Sequence, residues 1–258
     1  MNKIGVCLGG MCPKIENIRY AKQIGFDYVE LHLAEIMKQS EKERLRLKKE
    51  LDKYNISAEV LYAFFDYRLK IVGKNADLRI IKDYICRAMQ IAKLFDSKLL
   101  VVGSGGSRSY KEGEDDPKEV ESQFAEVLRL IEAELPDGIE VVCEPISRIE
   151  SNLLNTLEES INFIREYRLD RVGTMIDSYH VLIENDKVSN LEKYMNDVCH
   201  IHISDNSRNY PQKEEEIREL LQMLKENNYN GRISIEAKSE SFVSDSRQAY
   251  EKLSGMLR

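Results

Sequence analysis

The feature that most constrains this chain is an alternation. Short apolar runs fall at residues 4–8, 28–33, 57–65, 98–102, 139–144, 172–177, 198–203 and 232–237, and longer helix-patterned segments separate them. Strand followed by helix, repeated, predicts a parallel sheet, because each helix is the crossover that carries the chain back to the same end. Eight such units in 258 residues fit one closed (β/α)₈ TIM barrel, a fold of typically about 250 residues. The predicted fold class is therefore α/β, with a single barrel domain over 1–258. A doubly wound open sheet is the alternative. It would normally use fewer strands, and no G-x-G-x-x-G follows the first strand.

Helices are predicted over 17–25, 41–54, 77–95, 117–135, 157–167, 191–195, 214–227 and 245–257. Gly25 stops the first, and the second is heavily charged on its outer face. The third carries Ile81, Ile85, Ala88, Ala92 and Phe95 on one stripe. The fourth begins at Pro117 just after Asp115 and Asp116, either of which can cap it. Within the strands, Ile201 and Ile203 oppose His200 and His202, and Ile233 and Ile235 oppose Ser234 and Glu236. Val29, Leu31 and Leu33 likewise oppose Tyr28, Glu30 and His32. The apolar set should meet the helices and the polar set the barrel axis. In this fold, polar groups near the C-terminal mouth read as active site.

Composition narrows the partners. Asp and Glu number 45 against 38 Lys and Arg, a net charge of −7, which opposes binding along a phosphate backbone. Cys7, Cys12, Cys86, Cys143 and Cys199 are odd in number and include no C-x-x-C pair, so buried reduced thiols are expected rather than disulfides or a thiolate metal site. No stretch reaches the ~20 apolar residues of a membrane span, and the first residues lack the apolar core of a signal peptide. A cytoplasmic protein is expected.

Four strand ends carry the chemistry. The fifth run, V-V-C-E-P-I-S-R-I-E over 141–150, delivers Glu144 before Pro145 stops the ladder, and the next three strands end at Asp177, His202 and Glu236. A lone glutamate at a strand end reads as a helix cap or ion-pair partner, and either histidine of 198–203 as a satisfied core group. All four at successive ends would repel one another unless a cation sat between them. Three hard oxygen donors with one imidazole suit Mn²⁺, Mg²⁺ or Co²⁺, with positions left open for substrate.

E-P-I-S-R-I-E, M-I-D-S-Y-H, H-I-H-I-S-D-N-S-R and I-S-I-E, in that order, resemble the motifs of the xylose isomerase-like barrel superfamily, and within it the ketose 3-epimerase and hydroxypyruvate isomerase branch. The resemblance implies one divalent metal per chain, Mn²⁺ first and Mg²⁺, Co²⁺ or Zn²⁺ as alternatives, held by Glu144, Asp177, His202 and Glu236. It implies that Glu144 and Glu236 are the acid/base pair of a sugar or sugar phosphate isomerase or epimerase working through an enediolate. Glu150, His180 and Arg208 would bind substrate. No nucleic acid or membrane partner is implied, and homo-oligomerisation is left open.

Several features depart from that branch. The chain has no tryptophan, so Tyr62, Phe64, Phe65 or Tyr110 would have to supply an aromatic wall. The loop 103–116 opens G-S-G-G-S-R, whose backbone could form an anion nest with Arg108 as a further substrate contact. The loop 65–76, with Arg68, Lys70 and Gly73, is a second candidate lid, and Glu30 and His32 are placed near the same mouth. An inosose-type dehydratase would use the same metal and glutamates to expel water. A trinuclear apurinic-site endonuclease would need more than this chain's four histidines. A non-catalytic sugar-binding barrel would have no use for two proton shuttles.

Overall fold

The computed structural model describes residues 2–8, 14–211 and 215–257. Cys12 and Glu214, both named above, lie outside the described residues. The strands are β1 (Lys3–Cys7), β2 (Tyr28–His32), β3 (Ser57–Tyr62), β4 (Leu99–Val102), β5 (Glu140–Cys143), β6 (Val172–Asp177), β7 (Val198–Ile203) and β8 (Arg232–Ile235). They pair in chain order and all in parallel, and β1 closes on β8 through pairs such as Gly5 with Ser234. This is the eight-stranded closed barrel that the alternation predicts.

Several of the long helices begin where a capping residue stands. α1 spans Ile15–Ile24 and ends at Gly25, whose φ of 117° is open to glycine far more than to other residues. α2 (Leu33–Lys38) is followed by α3 (Glu41–Tyr54), which Ser40 and Glu43 start with a reciprocal capping box. Asp77 caps α4 (Leu78–Leu94). After α5 (Gly105–Arg108), Asp116 caps α6 (Pro117–Glu134), with proline in its first turn. Thr156 caps α7 (Leu157–Glu166). Then come α8 (Ser178–Glu184), α9 (Val188–Glu192), α10 (Glu215–Glu226) and α11 (Phe242–Leu257).

Four of these helices, α2, α5, α8 and α9, are short insertions. Their periodicity is too brief to read against the strands they follow. Two of them start on the last polar residue of a strand: His32 accepts from the Glu35 N–H, and Asp177 from the Tyr179 N–H. The helix expected over 191–195 is instead the end of α9 followed by a 3₁₀ turn, Met195–Asp197.

Side-chain alternation divides the interior in two. Ile201, Ile203, Ile233 and Ile235 join the large core between barrel and helices. Inside the barrel, Val60, Leu99, Val101, Val142 and Met175 pack together with Tyr28 and Tyr62. Tyr28 bonds across the barrel to Ser234 at 2.6 Å, and a Cβ on Gly5 would overlap the Tyr28 ring. At the N-terminal end of the strands, Glu59 bonds Lys3 at 2.7 Å and Arg232 at 2.8 Å. Among the described cysteines, Cys7, Cys86, Cys143 and Cys199 are free thiols. Cys7 and Cys143 are buried, whereas Cys199 stands exposed. No helix among the described residues is long and apolar enough to cross a membrane.

Candidate active site

Glu144 lies one residue beyond β5 and still donates its N–H to the Val102 carbonyl, so the sheet itself fixes its backbone. Asp177 and His202 are paired residues in the register of β6 and β7. The Glu236 N–H bonds the Ile203 carbonyl just past β8. One donor atom from each of Glu144, Asp177, His202 and Glu236 lies within 4.8 Å of every other. Burial pushes the Glu144 carboxyl up to about 8, with Glu236 and Asp177 adding to the effect. Burial likewise raises Asp177 to about 6, while Arg208 opposes it. In Glu236, burial is outweighed by Arg208 and His202, which hold it well below the usual carboxylate range.

Two further observations fit a cation at this point. Asp177 Oδ2 is buried without a hydrogen-bond partner, so a strong acceptor is left unused. His202 Nε2 lies 3.0 Å from Glu30 Oε2, and His200 Nε2 lies 2.9 Å from Glu30 Oε1. The Glu30 carboxylate accepts from Nε2–H of His202, and Nδ1 of that ring faces Glu236 Oε2 at 3.1 Å. That nitrogen and a carboxylate rest so close only with positive charge between them, either a second ring proton or a bound cation. The imidazole responds accordingly: despite burial, Glu30 and Glu236 drive its pKa well up. Cys7, Glu30 and His202 also converge, but both Glu30 oxygens already serve histidines and burial holds the Cys7 thiol protonated. The first cluster is the better metal site.

A cavity of about 780 Å³ opens above it, lined by Glu144, Glu150, His180, Arg208, Glu236 and Tyr62 among others. Arg208 has a left-handed backbone, φ 57°, pinned by its own N–H to the Asp205 carbonyl and by the Lys238 N–H to its carbonyl. Strain of this kind is retained where position matters. Its guanidinium bonds Glu236 at 2.8 Å, lies 3.5 Å from Asp177 and 3.8 Å from Glu150, and stacks over the Tyr179 ring at 4.3 Å. His180 Nδ1 accepts from the Ser147 N–H at 3.0 Å, which puts the ring proton on Nε2. Burial, reinforced by Arg208, lowers this imidazole to about 3, so it stays neutral. Nε2 and Arg208 Nη2 lie 2.9 Å apart as two donors at one spot, an arrangement that an incoming oxygen atom would satisfy.

The structure thus gathers Glu144, Glu150, Asp177, His180, His202, Arg208 and Glu236 at the mouth. It does not bring Arg108 there. That side chain is fully buried behind the barrel wall, where it donates to the Leu154 carbonyl at 3.3 Å and lies over the Phe124 ring. The glycines beside it serve close approach and not an anion nest. A Cβ on Gly103 would overlap Glu144 Oε2, and one on Gly105 would come within 2.7 Å of the Glu150 carbonyl. Of the expected aromatics only Tyr62 reaches the cavity. Phe64 and Phe65 pack with Tyr84 in the core, and Tyr110 is absent from the lining. Arg68 and Lys70 bond Asp66 and the Gly106 carbonyl, and neither lines the cavity. His32 does line it, while Glu30 lies beneath the candidate metal site. Sequence reasoning placed Glu30 near the mouth. The pairing with both histidines needed three-dimensional register, although a glutamate amid Val29 and Leu31 was the available signal.

Fold and site together define a (β/α)₈ barrel with a buried carboxylate–imidazole cluster at its C-terminal mouth. The chain belongs to the xylose isomerase-like TIM barrel family, whose model matches residues 18–258. It is similar to the 3-dehydro-D-guloside 4-epimerase of Escherichia coli (strain K12), 30% identical over 146 residues that cover 56% of this chain and 54% of that protein. A D-psicose 3-epimerase of Agrobacterium fabrum is 26% identical over 122 residues, 46% of this chain and 42% of its own. In sequence, the chain spans about half the length of the relatives it matches. In backbone, it superposes on the crystal structure of a 3-keto-D-glucoside 4-epimerase from E. coli with a TM-score of 0.81, 22% identity, and 99% and 100% coverage of the two chains. A D-psicose 3-epimerase with D-tagatose from Clostridium cellulolyticum H10 gives 0.81 at 17% identity, covering 99% of each.

Proposed function

We propose that this chain is a divalent-metal-dependent sugar epimerase of the cytoplasm, acting on a ketose or keto-glycoside that carries no phosphate. The observation that supports it most is the convergence of Glu144, Asp177, His202 and Glu236 within 4.8 Å, with a buried Asp177 oxygen among them that makes no hydrogen bond. The sugar chemistry in the names of the sequence relatives agrees with it. The lack of any basic residue at the glycine loop's contribution to the cavity, now that Arg108 is assigned to the core, argues against a phosphate there.

A cation held by the four residues, Mn²⁺ first, supplies Lewis-acid polarisation of the carbonyl and a neighbouring hydroxyl. The protein's own groups do the rest. Glu144 and Glu236 come from β5 and β8, so they can address two faces of a sugar carbon between them. One, as carboxylate, removes the proton next to the carbonyl, and the other, as carboxylic acid, delivers its own proton to the opposite face, which inverts that carbon; both then reset their protonation with solvent. Return to the neighbouring carbon would give aldose–ketose isomerisation instead. Arg208 and the His180 Nε2–H donate to the oxygen that gains charge in the enediolate. Glu150 accepts from a hydroxyl nearer solvent.

The test is deuterium incorporation from D₂O into a ketose panel by Mn²⁺-loaded protein, with products separated by chromatography. Exchange with an inverted sugar is expected. Glu236→Gln, assayed at Mn²⁺ high enough to load the variant, should lose exchange. Full exchange in that variant removes Glu236 from the chemistry, and loss of water without a rearranged sugar replaces the epimerase by the dehydratase. Metal analysis that finds no divalent ion in folded, Mn²⁺-supplemented protein removes the site altogether.

A further inference from the structure

The mouth loops on the β3–β5 side are tied into one collar. From the loop after β3, the Phe65 N–H bonds the Ser104 hydroxyl at 3.0 Å, and the Ile71 N–H bonds the Ser107 carbonyl at 3.0 Å. The Lys70 ammonium bonds the Gly106 carbonyl at 2.6 Å. The loop after β4 is fastened in turn to the loop after β5, which carries Glu150 to the cavity.

Asn152 makes that second fastening. Its carboxamide oxygen accepts from the Tyr110 N–H and its amide nitrogen donates to the Tyr110 carbonyl, both at 3.1 Å. One side chain thereby meets the donor and the acceptor of one backbone residue, a pairing that needs both ends of a carboxamide. Beside it the Ser109 hydroxyl lies 3.3 Å from the Glu150 carbonyl. The Glu150 turn is closed from within by other groups. The Asn155 amide donates to the Ile146 and Ser151 carbonyls at 2.6 and 2.7 Å, and the Glu150 N–H bonds the Ser147 carbonyl at 2.9 Å. Asn152 therefore adds the placement of that turn against the loop after β4. Placement matters because the Glu150 carboxylate lies 3.8 Å from Arg208, beyond hydrogen-bond distance, and depends on its backbone for position.

We propose that Asn152 is a positioning residue. By clamping Tyr110 it holds the loop after β4 against the Glu150 turn, and so sets where the Glu150 carboxylate meets a substrate hydroxyl. Asn152 itself is half-buried and does not line the cavity. The proposal rests on the reading of Glu150 as a substrate contact given above.

The experiment uses the Mn²⁺-loaded full chain, with D-psicose as the probe sugar, and two substitutions. Asn152→Ala removes both hydrogen bonds. Asn152→Asp keeps the shape but sets an acceptor against the Tyr110 carbonyl, so a role in packing alone leaves it harmless. Each should raise KM about tenfold with kcat within about twofold of wild type. Each should also speed hydrogen exchange at the Tyr110 amide at least about tenfold, read by mass spectrometry. In a Glu150→Gln background, Asn152→Ala should add little to the rise in KM that Glu150→Gln causes alone. Wild-type KM in Asn152→Asp, or full additivity with Glu150→Gln, overturns the positioning role while Glu150 stays a substrate contact. An unchanged KM in Glu150→Gln alone removes that contact, and the positioning role with it. If wild type does not turn over D-psicose, the epimerase reading fails for that sugar and amide exchange decides the clamp: faster exchange in both variants upholds it, and unchanged exchange overturns it.

Discussion

Glu30 and His202 face each other inside the barrel, carboxylate oxygen to Nε2 at 3.0 Å, and neither is open to solvent. The same carboxylate holds His200 from its other oxygen at 2.9 Å. Two rungs of β7 are therefore tied to one residue of β2 across the barrel. Despite complete burial, the two imidazoles keep the Glu30 carboxyl ionised far below its usual range. A fixed anion at Nε2 leaves one orientation for the ring whose Nδ1 looks at Glu236 in the proposed metal site.

Glu30→Gln should therefore weaken Mn²⁺ binding by about 10–100-fold, the usual cost of losing a carboxylate behind a ligating histidine. Gln is nearly isosteric, so the barrel should remain closed by circular dichroism. Calorimetric titration with Mn²⁺ reads the effect directly. An unchanged affinity would mean that Glu30 merely fills the barrel.

Gly103 bears on Glu144 from the neighbouring strand end. A Cβ there would overlap Glu144 Oε2, so the carboxylate end would have to swing away from its place beside Asp177, His202 and Glu236. Gly103→Ala should cut kcat by at least about 100-fold, since an ångström of misplacement costs that much. Thermal stability should change far less than activity. Wild-type kcat in a folded Gly103→Ala protein would show that Glu144 is not held by this contact.

Arg108 tests the difference between motif and placement. Its guanidinium is buried with no carboxylate in bonding distance, and its Nε has no partner. Burial accordingly lowers its pKa. Arg108→Met keeps the length and removes a poorly compensated charge. Stability should hold level or rise by about 1–3 kcal/mol, measured by urea denaturation, and KM should not move. A severalfold rise in KM would restore Arg108 as a substrate contact.

What the sequence made legible follows from periodicity. Period-two alternation in β2, β7 and β8 told the barrel interior from the helix side, and the closed barrel of eight strands followed from counting. The four metal-site candidates stood out because each breaks an apolar run at the same place in the βα unit. Arg108 was misplaced for a related reason. Its position in a mouth loop says nothing of which way a four-residue helix turns it, and α5 turns it inward. Glu30 joins β2 to β7, a contact 172 residues long that no local pattern encodes.

The opposite end of the barrel carries a pH prediction. Glu59 accepts from Lys3 at 2.7 Å and Arg232 at 2.8 Å, joining β3 to β1 and β8. Burial alone would raise its pKa, but these two hydrogen bonds and their charges lower it on balance. A carboxylate depressed in the folded state stabilises fully above its unfolded value of about 4.3, and that stability fades as pH falls through the folded value. Glu59→Gln should therefore lower the Tm clearly at pH 7. The loss should shrink as pH drops below about 4, where the wild-type carboxylate is also becoming neutral. Melting both proteins between pH 7 and pH 3 checks this. A Tm difference that stays constant over the whole range would mean the residue acts by packing, and that the ion pairs with Lys3 and Arg232 contribute no net stability.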